Sequence, residues 1–127
     1  MSALSSTQRC PCGTGETYGQ CCQPLHAGTP AATAEALMRS RYSAFVTHDS
    51  DYLLRTWHPS TRPPSVEFDD RTWRYLDIVD TTDGGLFHKA GSVRFVAHYR
   101  DNGKPGAQAE HSRFVRDGKQ WLYIDAV

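Results

Sequence analysis

Apolar residues recur at helical spacing in one long stretch of this chain, and alternate with polar residues through most of its C-terminal half. Ala34, Met38, Tyr42 and Phe45, flanked by Leu37 and Val46, share one face of a helix predicted over residues 31–47. Thr29 followed by Pro30 offers a cap with proline at the first helical position, and Thr33 is the alternative cap. Arg39 and Arg41 lie off the centre of the apolar stripe. They are expected in solvent or beside a carboxylate, with anion binding as the lesser alternative. A second, short helix begins at Asp49 or Ser50 and ends before Pro59.

Residues 60–70, with Pro63 and Pro64, read as a loop, and strand signals follow at about 72–82, 91–100, 108–116 and 120–126. Gly84-Gly85 and Asn102-Gly103 punctuate them as turns. Helices first and an antiparallel meander afterwards predict an α+β fold with the helices on one face of the sheet. Asp117-Gly118 is a favoured two-residue turn, which would place Phe114 opposite Trp121, Ser112 opposite Tyr123 and Glu110 opposite Asp125. A turn with a glycine bulge would shift that register.

Composition narrows the class without naming a function. At 127 residues, 39% hydrophobic and 22% charged, the chain suits one compact domain with a modest core. A formal net charge of +0 gives no global field for nucleic acid or an anionic membrane. No apolar run approaches a membrane span, and the polar first nine residues do not read as a signal peptide, so a cytoplasmic location is expected.

The strongest chemical signal is local. All four cysteines fall within Cys10-Pro11-Cys12-Gly13-Thr14-Gly15-Glu16-Thr17-Tyr18-Gly19-Gln20-Cys21-Cys22. Cys-x-Cys and Cys-Cys spacings, with glycines between them, suit thiolates converging on one ion better than two relaxed disulfides. Cys10, Cys12, Cys21 and Cys22 are therefore expected to bind one structural zinc ion (Zn²⁺). Four thiolates leave no open position for catalysis at the metal. His26 lies close enough to replace one thiolate, but reads more simply as a loop histidine.

These residues carry a resemblance. Cys-x-Cys, Gly-Thr-Gly, a tyrosine and Cys-Cys resemble the SEC-C motif, the zinc module at the C-terminus of the SecA translocase motor. Downstream, Leu37-Met38-Arg39-Ser40-Arg41-Tyr42-Ser43-Ala44-Phe45-Val46, Asp51-Tyr52-Leu53, Thr56-Trp57-His58-Pro59-Ser60, Phe95-Val96-Ala97 and Ser112-Arg113-Phe114 resemble the YchJ-like family of bacterial proteins. The resemblance implies a SEC-C zinc segment at residues 1–28, then a nuclear-transport-factor-2-like (cystatin-like) cone at residues 29–127.

A curved sheet over helices leaves a cavity at its open end. Residues expected to line a possible pocket are Trp57, His58, His98, Glu110, Ser112, Tyr123 and Asp125. Two opposed carboxylates, Glu110 and Asp125, would raise one another's pKa if shielded from water. The plainer alternatives are that Trp57 packs under the sheet, His58 caps a helix end, and the carboxylates pair with arginines. Two functions remain open at this point. One is a protein-interaction module presented by the zinc knuckle, for which the SecA resemblance implies a protein-export chaperone or ribosomal component as partner. The other is a small-molecule-binding or acid–base site in the cone. The chain carries no motif that assigns an enzyme class.

Overall fold

A computed structural model describes residues 4–127. A 3₁₀ turn at Tyr18–Gln20 leads into α1 (Cys22–His26), followed by α2 (Ala34–Thr47) and α3 (Ser50–Arg55). Strands β1 (Thr72–Asp83), β2 (Ala90–Asp101), β3 (Lys104–Asp117) and β4 (Gln120–Ala126) then form one antiparallel sheet in the order β1-β2-β3-β4. Among the described residues no helix is long and apolar enough to cross a membrane.

Thr33, rather than Thr29, caps α2: its side chain accepts a hydrogen bond from the Ala36 N–H at 3.0 Å. Asp49 does the same for α3 through the Tyr52 N–H. The last cysteine opens α1. Its Pro24 falls in the first turn, where a proline forfeits no intrahelical hydrogen bond. The meander follows the alternation of its sequence, with β2 turning Val93, Phe95 and Ala97 into the core and exposing Arg94. Asn102 and Gly103 both adopt positive φ, as a tight hairpin between β2 and β3 requires.

α2 is enclosed nearly all round. Leu37, Met38 and Tyr42 meet the sheet, while Ser40, Ser43 and Ala44 are buried on the opposite side, beneath the cysteine segment and α3. The N-terminal segment is thereby part of the main core, which runs without a break from Cys10, Cys12 and Cys22 to Phe114 and Trp121. The segment after α3 docks on the free edge of β4: His58 N–H bonds Tyr123 O at 2.7 Å and Tyr123 N–H bonds Thr56 O at 2.8 Å. That pairing covers one of the two sheet edges.

Gly84 ends β1 at φ +78, and its carbonyl accepts from the Ala34 N–H at 2.9 Å, joining the sheet to the start of α2. A Cβ here would sit 2.7 Å from that of Ala34. Gly84→Ala is expected to destabilise the fold by about 1–3 kcal/mol through overpacking and the left-handed backbone, read as a lower midpoint in urea unfolding.

The β3–β4 hairpin differs from the expected register. Gly118 and Lys119 form the turn, with Gly118 at φ +63, so Asp117 pairs with Gln120 and Phe114 with Tyr123. The positive φ falls on the first turn residue, which suits glycine there and leaves Asp117 in the strand. Pairing moves by two residues in total, so Phe114, Trp121 and Tyr123 keep a common face. A bulge at Ile124 then opposes Asp125 to Arg113 rather than to Glu110.

Candidate metal centre and cavity

Two glycines with positive φ, Gly13 and Gly15, fold the loop after Cys12 back on itself, and the 3₁₀ turn delivers Cys21 and Cys22 to the same point. The four sulfurs lie within 4.8 Å of one another, with Cys12–Cys21 at 3.5 Å and Cys21–Cys22 at 3.9 Å. Tetrahedral zinc with bonds of about 2.3 Å needs sulfurs about 3.8 Å apart, so this set fits the ion. Cys10, Cys12 and Cys22 are buried and Cys21 is half-buried. Four cysteines so placed can hold a metal ion in a closed shell.

Hydroxyls surround the sulfurs. Ser43 Oγ on α2 lies 3.6 Å from Cys10 Sγ and donates to Cys22 Sγ at 3.4 Å, and Thr14 Oγ1 lies 3.2 Å from Cys21 Sγ. Such contacts hold ligands in place and temper thiolate charge. Electrostatics also favours a cation here. Hydrogen bonds from Cys12 and Cys22 hold the Cys10 thiol far below its ordinary pKa. The reciprocal bonds from Cys22 to Cys10 and Cys12 push Cys22 far up, and burial pushes Cys21 up to about 11. The thiolate form is therefore favoured at Cys10 at the expense of Cys21 and Cys22, and a cation at their centre would favour it at each of them.

The knuckle is bolted to α2 at two further points. Arg39 Nη1 donates to Cys12 O at 2.7 Å while its Nε pairs with Glu35 at 2.9 Å. His26 bridges Tyr18 Oη at 2.6 Å and Ser40 O at 2.9 Å. A carbonyl can only accept, so Nε2 carries the proton and Nδ1 accepts from the tyrosine. His26 is thus a strut between knuckle and helix, with both ring nitrogens engaged away from the sulfurs.

Between α2 and the sheet lies a cavity of about 200 Å³. Trp57, Glu110, Ser112 and Tyr123 line it, together with Arg41 and Tyr42 from α2. Phe45, Trp73 and Phe95 supply much of its apolar wall. Ser112 Oγ donates to Glu110 Oε2 at 2.6 Å. Trp57 packs edge-on against Tyr123, with ring centroids 5.0 Å apart.

His58, His98 and Asp125 lie elsewhere. Strand alternation turns His98 away from Ala97 to the outer face, where it bonds Asp77 at 2.9 Å and stacks on Tyr75. The Ile124 bulge turns Asp125 outward to Arg113, which donates to it at 2.6 Å and holds its carboxyl below the usual range. Glu110 and Asp125 are therefore not opposed, and the expected carboxylate pair does not form. His58 turns its ring to Ser60 Oγ at 2.7 Å, outside the cavity wall.

Arg41 departs furthest from expectation. It is 4% exposed, and among the described residues it makes no salt bridge. Nη1 donates to Leu53 O at 2.8 Å and to Thr56 Oγ1 at 2.7 Å, tying α2 to the end of α3. The guanidinium lies 4.8 Å from the Tyr123 ring centroid and 5.2 Å from that of Trp57. Burial lowers its pKa to about 10, so it remains a cation at neutral pH. Helical spacing could have found it, because residue 41 is four beyond Leu37 and three beyond Met38, on the buried side.

Comparison with known proteins accords with this architecture. Residues 33–126 match the model of the YchJ middle NTF2-like domain, and residues 7–24 match the SEC-C motif. A UPF0225 protein of Streptomyces avermitilis is 54% identical over 118 residues, covering 91% of this chain and 81% of that protein. Another, from Streptomyces coelicolor, is 53% identical over 121 residues and covers 94% of each. The solution structure of a SEC-C motif containing protein from Rhodopseudomonas palustris superposes with a TM-score of 0.80 at 32% identity, covering 93% of this chain and 96% of that one. The crystal structure of a SEC-C motif containing protein from Psychrobacter arcticus gives 0.79 at 30% identity, covering 94% and 82%. With a SEC-C motif joined to an NTF2-like domain, and half its residues shared with those relatives, the chain belongs to the YchJ-like UPF0225 family.

Proposed function

We propose that this chain is a zinc-stabilised binding protein, in which the metal braces the fold and the cavity between α2 and the sheet receives a small molecule. The observation that carries the metal half is the spacing of the four sulfurs, within 4.8 Å of one another in a mostly buried site. A closed tetrathiolate shell is structural chemistry, since zinc acting on a substrate needs a vacant or water-filled position. The brace acts on α2, because Ser43, Ser40 and Arg39 of that helix contact the knuckle. The same helix carries Arg41 and Tyr42 on the cavity wall, so the metal holds the wall of the binding site without touching the ligand. Elemental analysis of protein purified without chelator is expected to give about one zinc per chain, falling well below that in Cys12→Ser. Retention of a full equivalent by the variant would remove Cys12 from the shell.

A second reading, contact with a protein partner through the knuckle, draws on the exposure of residues 13–16 at its rim. It predicts that Glu16→Lys, which leaves the sulfurs untouched, changes the set of proteins captured from a lysate. An unchanged set would count against it.

A further inference from the structure

The cavity wall holds polar groups whose hydrogen bonding the fold does not complete. A buried guanidinium ordinarily sits against a carboxylate, because desolvation of an unpaired charge costs several kcal/mol. Among the described residues Arg41 makes no such contact, Glu110 acting on it only through space, and all its hydrogen bonds run from Nη1. Those bonds account for a structural role of one nitrogen and leave Nε and Nη2 without a protein acceptor. Two more polar atoms in residues of the same wall, Tyr42 Oη and Trp57 Nε1, are buried with no hydrogen-bond partner. Buried polar groups are almost always satisfied, so two such atoms beside a guanidinium with two free nitrogens point to a missing acceptor.

Glu110 is the competing charge in the wall. It is only half-buried, and Ser112 already donates to one of its oxygens at 2.6 Å. Arg41 is the more deeply buried of the two and makes no salt bridge with it, so Glu110 acts on the guanidinium only through space and leaves its Nε and Nη2 open to an acceptor from a ligand. The rest of the lining is mostly aromatic. A cavity of about 200 Å³ holds little more than one ring or a short branched chain, since roughly 150 Å³ suffices for benzene.

Building on the reading that this cavity is a binding site, we infer that its ligand is a small carboxylic acid with an apolar body about one ring in size. Its carboxylate accepts from Arg41, and its body lies among Phe45, Trp73 and Phe95. A planar carboxylate matches the free edge of a guanidinium, and the surrounding rings exclude water that would weaken the contact.

The test uses the full, zinc-loaded chain and three isosteric probes: benzoate, benzamide and benzylamine. Binding is followed by NMR on the indole N–H signals of Trp57 and Trp73. Benzoate is expected to shift these signals with a Kd on the order of 1 mM. Benzamide and benzylamine are expected to bind at least about tenfold more weakly. Arg41→Met is expected to weaken benzoate by a similar factor. Should that variant fail to fold, Glu110→Gln decides: it keeps an acceptor for Ser112, removes the opposing charge, and is expected to tighten benzoate about threefold or more. Equal binding of benzamide, tighter binding of benzylamine, or no gain in Glu110→Gln overturns the anion assignment while leaving the cavity as a binding site. Indole signals that no probe moves overturn both.

Discussion

Stripping the metal is expected to lower the thermal midpoint of this protein by roughly 15 °C. The figure follows from linkage. A ligand present at about a thousand times its Kd stabilises by about 4 kcal/mol, and 1 kcal/mol moves the midpoint of a domain this size by about 4 °C. The loss should not stay local. The knuckle contributes Cys10, Cys12, Tyr18 and Cys22 to the same core as α2 and the sheet. Without an ion the thiols retain only hydrogen bonds to one another and to the Ser43 and Thr14 hydroxyls, and burial works against the ionisation of Cys21 and Cys22. Loosening the loop then withdraws the acceptor of Arg39 and the hydroxyl contacts of Ser43 from one side of α2. Calorimetry with and without a chelator measures the shift, with zinc re-addition as the control. Amide exchange in α2 should quicken alongside it. An unchanged midpoint in protein shown to be metal-free would mean that the knuckle rides on the fold without supporting it.

Trp121→Ala is expected to cost about 3–5 kcal/mol, the range for deleting a buried large aromatic. Trp121 is 2% exposed and among the largest fully buried side chains of the chain. Its Nε1–H reaches Ala32 O at 3.3 Å, so it holds the approach to α2 as well as filling the core. Both effects act on the junction of helix and sheet, and a cavity left there has only neighbouring strands to fill it. The site lies apart from the sulfurs, so zinc content should persist at about one per chain in the folded variant. Denaturant unfolding measures the loss, and a cost below 1 kcal/mol would show that the junction repacks freely.

What the sequence reveals here depends on how local each cause is. The cysteine cluster is legible because thirteen consecutive positions contain all four cysteines and the glycines that bend the loop around them. The period of α2 and the alternation of β2 and β3 are also near-neighbour properties, and they define the α+β frame. The choice of Thr33 as cap depended on where Gly84 anchors the first turn, a contact made fifty residues away. α1 was hidden because five residues containing a proline carry too little periodicity to register.

The cavity shows the limit most clearly. Trp57, Glu110, Ser112 and Tyr123 reach it, whereas the shifted turn moved Asp125 away from Glu110 and the bulge at Ile124 then turned it to the outer face. Bulges arise from the balance of turn geometry and packing in the finished sheet, which strand-by-strand alternation does not encode. Arg41 was set aside because charged side chains are rarely buried unless paired. That rule holds for folds satisfied by their own residues. A side chain waiting for a ligand violates it, and such violations gather where function lies.

X-ray absorption at the zinc edge, on protein purified without chelator, tests the central claim most directly. Four sulfur scatterers at about 2.3 Å and no nitrogen or oxygen neighbour are the predicted shell of Cys10, Cys12, Cys21 and Cys22. A mixed shell with light-atom neighbours, or protein with no zinc to measure, would contradict it.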